Sequence, residues 1–330
     1  MWRIIGTAVR GRGHVKNNIP VQDKICFIRD DATVITLADG AGSATLSHFG
    51  AERVVVSICG LLNLHFDQIF NSADVADVQN MIITEVINQL KDLVEEHKEP
   101  LKSFASTMLA IAVKGERVLI LHLGDGEIGA IKNGQLTMIS SSENGEYVNA
   151  TYFTTSLNAV QHIKLFKSQN ASSFSSFFLM SDGAADSLYS KQQRVFSPVI
   201  KHLELQMKLK DEKVLNKMLE SSFESMVKQR TMDDCSFIMM TNMEQPLEIA
   251  SLKKEEKEYL YSLLENKKNT SFRKFETMTM LLQTPRTIND IVKIMHLKKR
   301  YVKRLVLGLV DIGLAEHTHQ EYRIKEGLYR

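Results

Sequence analysis

Aspartates recur in one setting along this sequence, at the end or flank of a hydrophobic run and beside a glycine or a second aspartate. Asp23 closes Val21-Gln22-Asp23, Asp39 stands in Leu37-Ala38-Asp39-Gly40, and Asp125 in Leu123-Gly124-Asp125-Gly126. Asp182 lies between Ser181 and Gly183, and the pair Asp233-Asp234 precedes Cys235. A strand end projects its carboxylate from a rigid sheet edge, and a following glycine lets the chain turn and a ligand come close. Any single Asp-Gly reads first as a turn, because the dipeptide is common there. Several carboxylates converging from separate strands are different, because they cannot all stay ionised unless something neutralises them. Hard divalent cations do this. Mg²⁺ and Mn²⁺ prefer carboxylate, carbonyl and water oxygens, and no His/Cys cluster with zinc spacing competes for the role.

The elements that must position these carboxylates follow from the hydrophobic pattern. Trp2–Val9 predicts a strand, then a Gly/Arg/His/Asn loop over 10–20, then strands at Lys24–Ile28 and Thr33–Ala38. The second of these is almost continuously apolar, the mark of a strand buried on both faces. Thr45–Phe70 and Ser72–Lys98 carry apolar residues at helical spacing, and Glu99-Pro100 ends the second helix. Strands are expected at Phe104–Val113, Arg117–Leu123, Glu127–Lys132 and Gln135–Ile139, with Asn133-Gly134 as a strong hairpin signal. A polar loop spans Ser140–Asn158, a buried strand Phe174–Met180, helical material Ala185–Lys228, and a last strand Cys235–Thr241. Hairpin-linked strands beside paired helices predict an α+β arrangement of antiparallel sheets rather than a doubly wound fold.

Glu244-Gln245-Pro246 is the expected boundary between two domains, 1–244 and 245–330. From Gln245 onward there are 17 Lys/Arg against 11 Asp/Glu, and before it 24 against 28, so the two parts suit different partners. The second part predicts helices at Leu252–Glu265, Phe272–Leu282, Ile288–Met295 and Lys298–Ile312, closed by a hairpin within 314–324. Thr287 and Asp290 form a capping pair at the start of the third. Lys298, Lys299, Arg300, Lys303 and Arg304 crowd the early turns of the last helix, where they suit phosphate or a protein partner.

Three well-separated cysteines, each inside an apolar run, predict buried thiols in a reducing compartment rather than a disulfide framework. The N-terminus lacks a signal-peptide core, and no apolar run approaches the roughly 20 residues of a membrane span, so a cytoplasmic protein without a membrane partner is expected.

The ordered blocks VQD (21–23), LADGAGS (37–43), FAST (104–107), HLGDGEIGAIKNG (122–134), LMSDG (179–183) and MDDCSFIMM (232–240) resemble the signature blocks of the protein phosphatase 2C family, closest to its bacterial branch. The resemblance covers roughly residues 1–242. It implies two stacked antiparallel sheets flanked by helix pairs, with Mg²⁺ or Mn²⁺ at one end, as two ions with a third, weaker one. Asp39 would bridge two metals, the Gly40 carbonyl would add a ligand, Asp182 and Asp233 would hold one metal, and Asp23 would act through bound water. Asp125 matches the position of the third metal. Asp234, where Asn is commoner in the family, is expected to tune hydrogen bonding.

Two cations about 3.5–4 Å apart activate a shared water and align it with phosphorus, so attack is direct and no phosphoenzyme forms. They also take up charge on the phosphoryl oxygens. Ser106 and the cysteines lack a local base. Many family members carry a phosphate-gripping Arg shortly before the first Asp. This chain has Asn17-Asn18-Ile19-Pro20 there, leaving His14 or Lys16 to take the phosphate, with Arg10 and Arg12 as weaker candidates. His14 is also suited to protonate the leaving oxygen. Ala41 and Ser43 replace the family's commoner His and Gly.

The C-terminal part resembles a winged helix-turn-helix, with 314–324 as the wing. The expected function is a metal-dependent phosphatase acting on phosphoserine or phosphothreonine in signalling proteins. Two rivals are a weakly active adaptor for phosphorylated partners and a DNA-binding regulator. Turnover under Mn²⁺ separates the first, and salt-sensitive duplex binding the second.

Overall fold

A computed structural model of the protein describes residues 1–141, 151–245, 247, 249–264 and 271–325. The middle of the expected polar loop (142–150), Pro246 of the expected boundary and Glu265 of the expected helix lie outside the described residues. Contacts divide the chain into two units. One is Trp2–Ser197 with Lys213–Asn242, and the other is Met1, Pro198–Glu212 and Met243–Arg330.

The first unit is built on two five-stranded antiparallel sheets. In spatial order the first holds β1 (Trp2–Val9), β12 (Cys235–Asn242), β9 (Phe174–Met180), β6 (Glu127–Lys132) and β7 (Gln135–Ser140). The second holds β2 (Lys24–Arg29), β3 (Thr33–Ala38), β4 (Met108–Lys114), β5 (Arg117–Leu123) and β8 (Lys164–Ser168). The period of two sorts side chains between layers. Ile35 and Leu37 of β3 join the core between the sheets with Leu109, Phe177, Leu179 and Ile238, whereas Val34 and Ala38 face helices. Each such fully buried large side chain contributes about 1.5–3 kcal/mol of transfer free energy. The Asn133-Gly134 turn has both φ angles positive, and Lys132 pairs with Gln135 across it, as the hairpin signal requires.

The helices α2 (Ser47–Leu64) and α4 (Val75–His97) cover the outer face of the second sheet, with the short α3 (Phe66–Asn71) between them. The Asp74 carboxylate accepts the Asp77 N–H at 3.0 Å to cap α4. On the first sheet, α6 (Asp182–Leu188) follows β9, and α8 (Glu212–Ser222) leads through a wide turn to Phe223, whose ring meets Phe237. Asn216 accepts the Gly6 N–H at 2.9 Å, tying α8 to β1.

Several expectations change. The 10–20 loop contains a one-turn helix, α1 (Arg12–Lys16). The helix expected over 45–70 breaks at His65, which separates α2 from α3. β8, the one-turn α5 (Ala159–His162) and the small hairpin of β10 (Tyr189–Ser190) and β11 (Val195–Phe196) carry too little apolar pattern to stand out. Cys26 is only partly buried, unlike Cys59 and Cys235.

In the second unit, α7 (Val199–Leu209) packs on α9 (Lys254–Ser262). His202 stacks on Tyr259 with centroids 3.8 Å apart, and Lys201 pairs with Glu256. The division at 244 read from sequence leaves 198–212 in the first domain, whereas the contacts place this segment in the second unit. There follow α10 (Phe272–Leu281), β13 (Arg286–Thr287), α11 (Ile288–Met295), α12 (Lys299–Asp311), β14 (Ala315–Thr318) and β15 (Glu321–Ile324). The three strands form one sheet in the order β13-β15-β14, and Phe275, Met278, Ile291, Val302 and Leu309 fill the core. Thr287 and Asp290 form the expected capping box, each accepting the other's backbone N–H at 3.2 Å.

Candidate metal centre

Each carboxylate of the acidic set sits where a strand stops or starts. Asp23 immediately precedes β2 and Asp39 follows β3. Asp125 lies in the turn between β5 and β6, Asp182 opens α6 after β9, and Asp233 and Asp234 precede β12. Antiparallel pairing brings these ends together, since β2 lies beside β3 and β9 beside β12.

The charges face one another. Burial raises the Asp39 pKa well above the usual carboxylate range, and repulsion from Asp23, Asp182, Asp233 and Asp125 raises it further. Burial, then the Asp234 charge, raises Asp23 to about 7, against a smaller opposing pull from the Ser236 and Ser181 hydroxyls and Asp39. Asp182 is raised to about 6 by burial first and by Asp125 and Asp233 next, against the Gly183 N–H. Both Asp23 oxygens and Asp182 Oδ1 are buried without a partner in hydrogen-bond geometry. The serine hydroxyls are near enough to act on the Asp23 charge but not aligned to bond it.

Backbone clamps hold the ring of acids. Asp39 N–H donates to Thr107 Oγ1 and its carbonyl accepts the Thr107 N–H, both at 2.8 Å. Gly40 bridges to Ser106, and a Cβ there would stand 2.9 Å from the Ser47 side chain and 3.0 Å from the Gln22 carbonyl. Asp125 Oδ2 accepts the Thr151 hydroxyl at 2.6 Å. Asp234 faces away from ligand duty. Its oxygens accept the N–H groups of Gly11 and Gln22, each at 2.6 Å, which supports the expected hydrogen-bonding role.

The same clamp brings in His14. Its Nδ1 lies 2.8 Å from Asp234 Oδ1, off the line of a good hydrogen bond, and its Nε2 lies 3.8 Å from Asp233 Oδ1. Arg12 and Gly13 donate to the carbonyls of Thr231 and Met232, so the loop docks directly on the Asp233 segment. Arg10 donates to the His14 carbonyl at 3.1 Å, which fixes the loop from the inside. Lys16 is exposed at the end of α1, and no contact joins it to the carboxylates among the described residues. Lys298, just before α12, and Lys299, Arg300, Lys303 and Arg304 on its early turns are exposed in the second unit.

Sequence reasoning singled out the acids and missed their supports. Thr107, Gln22, Ser47 and Thr151 act through local bonds whose partners lie far away in sequence, so no spacing signals them. Among the described residues no three His, Cys, Asp or Glu side chains close on a point tightly enough to hold an ion as they stand. The donor set nonetheless fits hard cations, since it is all oxygen, anionic, self-repelling and partly without hydrogen-bond partners.

The family model for protein phosphatase 2C matches residues 10–221. The serine/threonine-protein phosphatase 3 of Escherichia coli (strain K12) is 27% identical over 174 residues, covering 51% of this chain and 68% of that protein. Among solved structures, a bacterial serine phosphatase is similar in fold at 16% identity and a TM-score of 0.51, over 73% of this chain and 98% of that one. The serine/threonine phosphatase Stp1 from Staphylococcus aureus gives 15% identity and a TM-score of 0.51, over 73% and 95%.

Proposed function

This chain belongs to the protein phosphatase 2C family and is a serine/threonine protein phosphatase, and from that premise we propose that it hydrolyses phosphoserine and phosphothreonine using two divalent cations, Mg²⁺ or Mn²⁺. The observation that carries this reading is the mutual repulsion of five carboxylates from separate element ends, centred on Asp39. When bound, the cations supply Lewis acidity and acidify the water they hold.

The protein's part is placement. Asp39 and the Gly40 carbonyl would hold the ions at the centre, Asp182 and Asp233 would be further ligands, and Asp125 would hold a third, weaker ion. Asp23 supports the site from its buried position, without a direct bond. His14, held beside Asp233 by the Asp234 clamp, contacts the substrate phosphate or gives a proton to the leaving oxygen. Lys16 approaches the phosphate from the exposed rim. Ser106 Oγ is buried without a hydrogen-bond partner, so it lacks the base a covalent intermediate needs, and direct attack by water fits better.

Hydrolysis of a phosphothreonine peptide, with Mn²⁺ and with chelator, tests this on wild type and Asp39→Asn. Metal-dependent turnover lost in the variant supports it. No turnover from folded, metal-replete protein overturns it and favours an adaptor for phosphorylated partners.

From α10 the second unit runs helix, strand, helix, helix and hairpin, an order that supports reading it as a winged helix whose exposed Lys298, Lys299, Arg300, Lys303 and Arg304 contact a partner. Duplex DNA is the partner to test first, because contacts to phosphate weaken steeply with salt and protein contacts do so less. No helix among the described residues is long and apolar enough to cross a membrane. A cytoplasmic signalling role belongs to the same proposal.

A further inference from the structure

None of the three cysteines takes part in the phosphatase chemistry, yet two of them are neighbours in space. Cys26 lies in β2, an edge strand of the second sheet, and Cys59 lies in α2 above it. Both belong to the apolar layer between that sheet and its helices, Cys59 fully buried and Cys26 partly exposed. Thr36 fixes their meeting point. It is the register partner of Cys26, and paired residues of an antiparallel ladder face the same side. Its hydroxyl lies 3.1 Å from the Val55 carbonyl of α2, 3.3 Å from the Cys26 carbonyl and 3.4 Å from Cys59 Sγ. Both cysteines therefore flank the Thr36 side chain within that one layer.

We propose that Cys26 and Cys59 form a reversible intramolecular disulfide, with a hydroperoxide as the oxidant, and that this pair is a redox modification site. The Cys26 sulfur attacks one peroxide oxygen, the O–O bond breaks, and Cys26 becomes a sulfenic acid while the other oxygen leaves as water with the Cys26 proton. The Cys59 sulfur then attacks the Cys26 sulfur. The S–O bond breaks and the hydroxyl leaves as water with the Cys59 proton. Two thiols lose two electrons and two protons, and hydrogen peroxide becomes two waters.

The roles divide by position. The reachable thiol on the edge strand is the one that meets peroxide, and the buried one resolves it. The neighbouring Cys59 thiol lowers the Cys26 thiol to about 7, which favours the thiolate there, and the Cys26 neighbour, then burial, push Cys59 up. Cys235 is the internal contrast. Its side chain is fully buried at the start of β12, out of reach of peroxide, so it stays reduced.

Treatment of the full chain with hydrogen peroxide, alkylation of free thiols and peptide mapping by mass spectrometry tests the bond. The expected result is one linked pair, Cys26–Cys59, lighter by two hydrogens, reversed by dithiothreitol, with Cys235 alkylated only after unfolding. A Cys26 that proceeds to sulfinic acid, or that links two chains, while Cys59 remains free overturns the proposal. In Cys59→Ser, Cys26 is expected to over-oxidise where the wild type stops at the bridge. Equal over-oxidation in both would overturn it as well. The oxidised wild type is also expected to melt higher than the reduced, a shift that Cys59→Ser lacks. The bond is read directly, so its absence leaves the phosphatase reading intact.

Discussion

The carboxylate of Asp234 accepts the backbone N–H of Gly11 at 2.6 Å across 223 residues of chain. With the equal bond from Gln22, this joins the first loop of the phosphatase unit to its last strand and sets the position of Asp23 and His14.

Asp234→Ala is therefore expected to cost about 3 kcal/mol, because it strands two buried donors that had charged acceptors. Asp234→Asn keeps one carbonyl oxygen and is expected to recover part of that. Urea unfolding of the three proteins measures the cost. Equal stability of Ala and wild type would remove the clamp from the account.

Asp39 sits where four other carboxylates repel it. In chelator, Asp39→Asn is expected to melt above wild type, by roughly 2–4 °C for each kcal/mol of repulsion relieved. Its turnover with Mn²⁺ falls by roughly a hundredfold or more. Thermal melts in chelator and peptide assays in Mn²⁺ read the two halves separately. An unchanged melting point would mean the charges are already compensated.

His122 supplies a pH dependence. It is buried in β5, where burial first and the Lys164 charge second lower its pKa to about 4, and Nδ1 meets the Ser140 hydroxyl at 2.6 Å. The unfolded chain takes up the proton near pH 6.5 and the folded one does not until about 4. Between those values the unfolded state binds more protons, so stability falls as pH drops from 6.5 to 4. The loss is complete below the folded pKa and totals about 3 kcal/mol at most. His122→Gln should flatten the stability–pH curve in that window. A variant curve parallel to wild type would assign the slope to other groups.

Two glycines make a matched pair. A Cβ at Gly183 would stand 2.1 Å from the Asp234 carbonyl, whereas one at Gly60 in α2 meets nothing within 4 Å. Gly183→Ala must push the Asp233–Asp234 backbone aside, at about 1–3 kcal/mol, and is expected to weaken activation by Mn²⁺. Gly60→Ala should stabilise by about 0.5–1 kcal/mol through helix propensity and leave turnover alone. Denaturation midpoints and Mn²⁺ titrations of activity distinguish them.

The strands that place the acids were legible because β3, β4, β5, β9 and β12 are buried and therefore nearly continuous in apolar residues. The Asn133-Gly134 hairpin and the Thr287 capping box were legible because local backbone chemistry dictates both. β8 was not, since no residue of this edge strand is fully buried and its pattern is weak. The membership of α7 in the second unit was hidden too, because its apolar stripe does not say which partner covers it. At the site, the aspartates announced themselves through their glycines. The Asp234 clamp did not, because its donors are backbone N–H groups that any residue could supply.

β1 is the outer strand of its sheet, and β12 is its sole neighbour there. During translation, then, β1 leaves the ribosome well before β12 and must wait for it before it can pair. Asp23 and Asp39 are made early, but the residues that complete their surroundings arrive only with 231–242. A nascent or truncated chain lacking that segment holds no assembled site, so phosphatase activity is withheld until the unit has been fully synthesised.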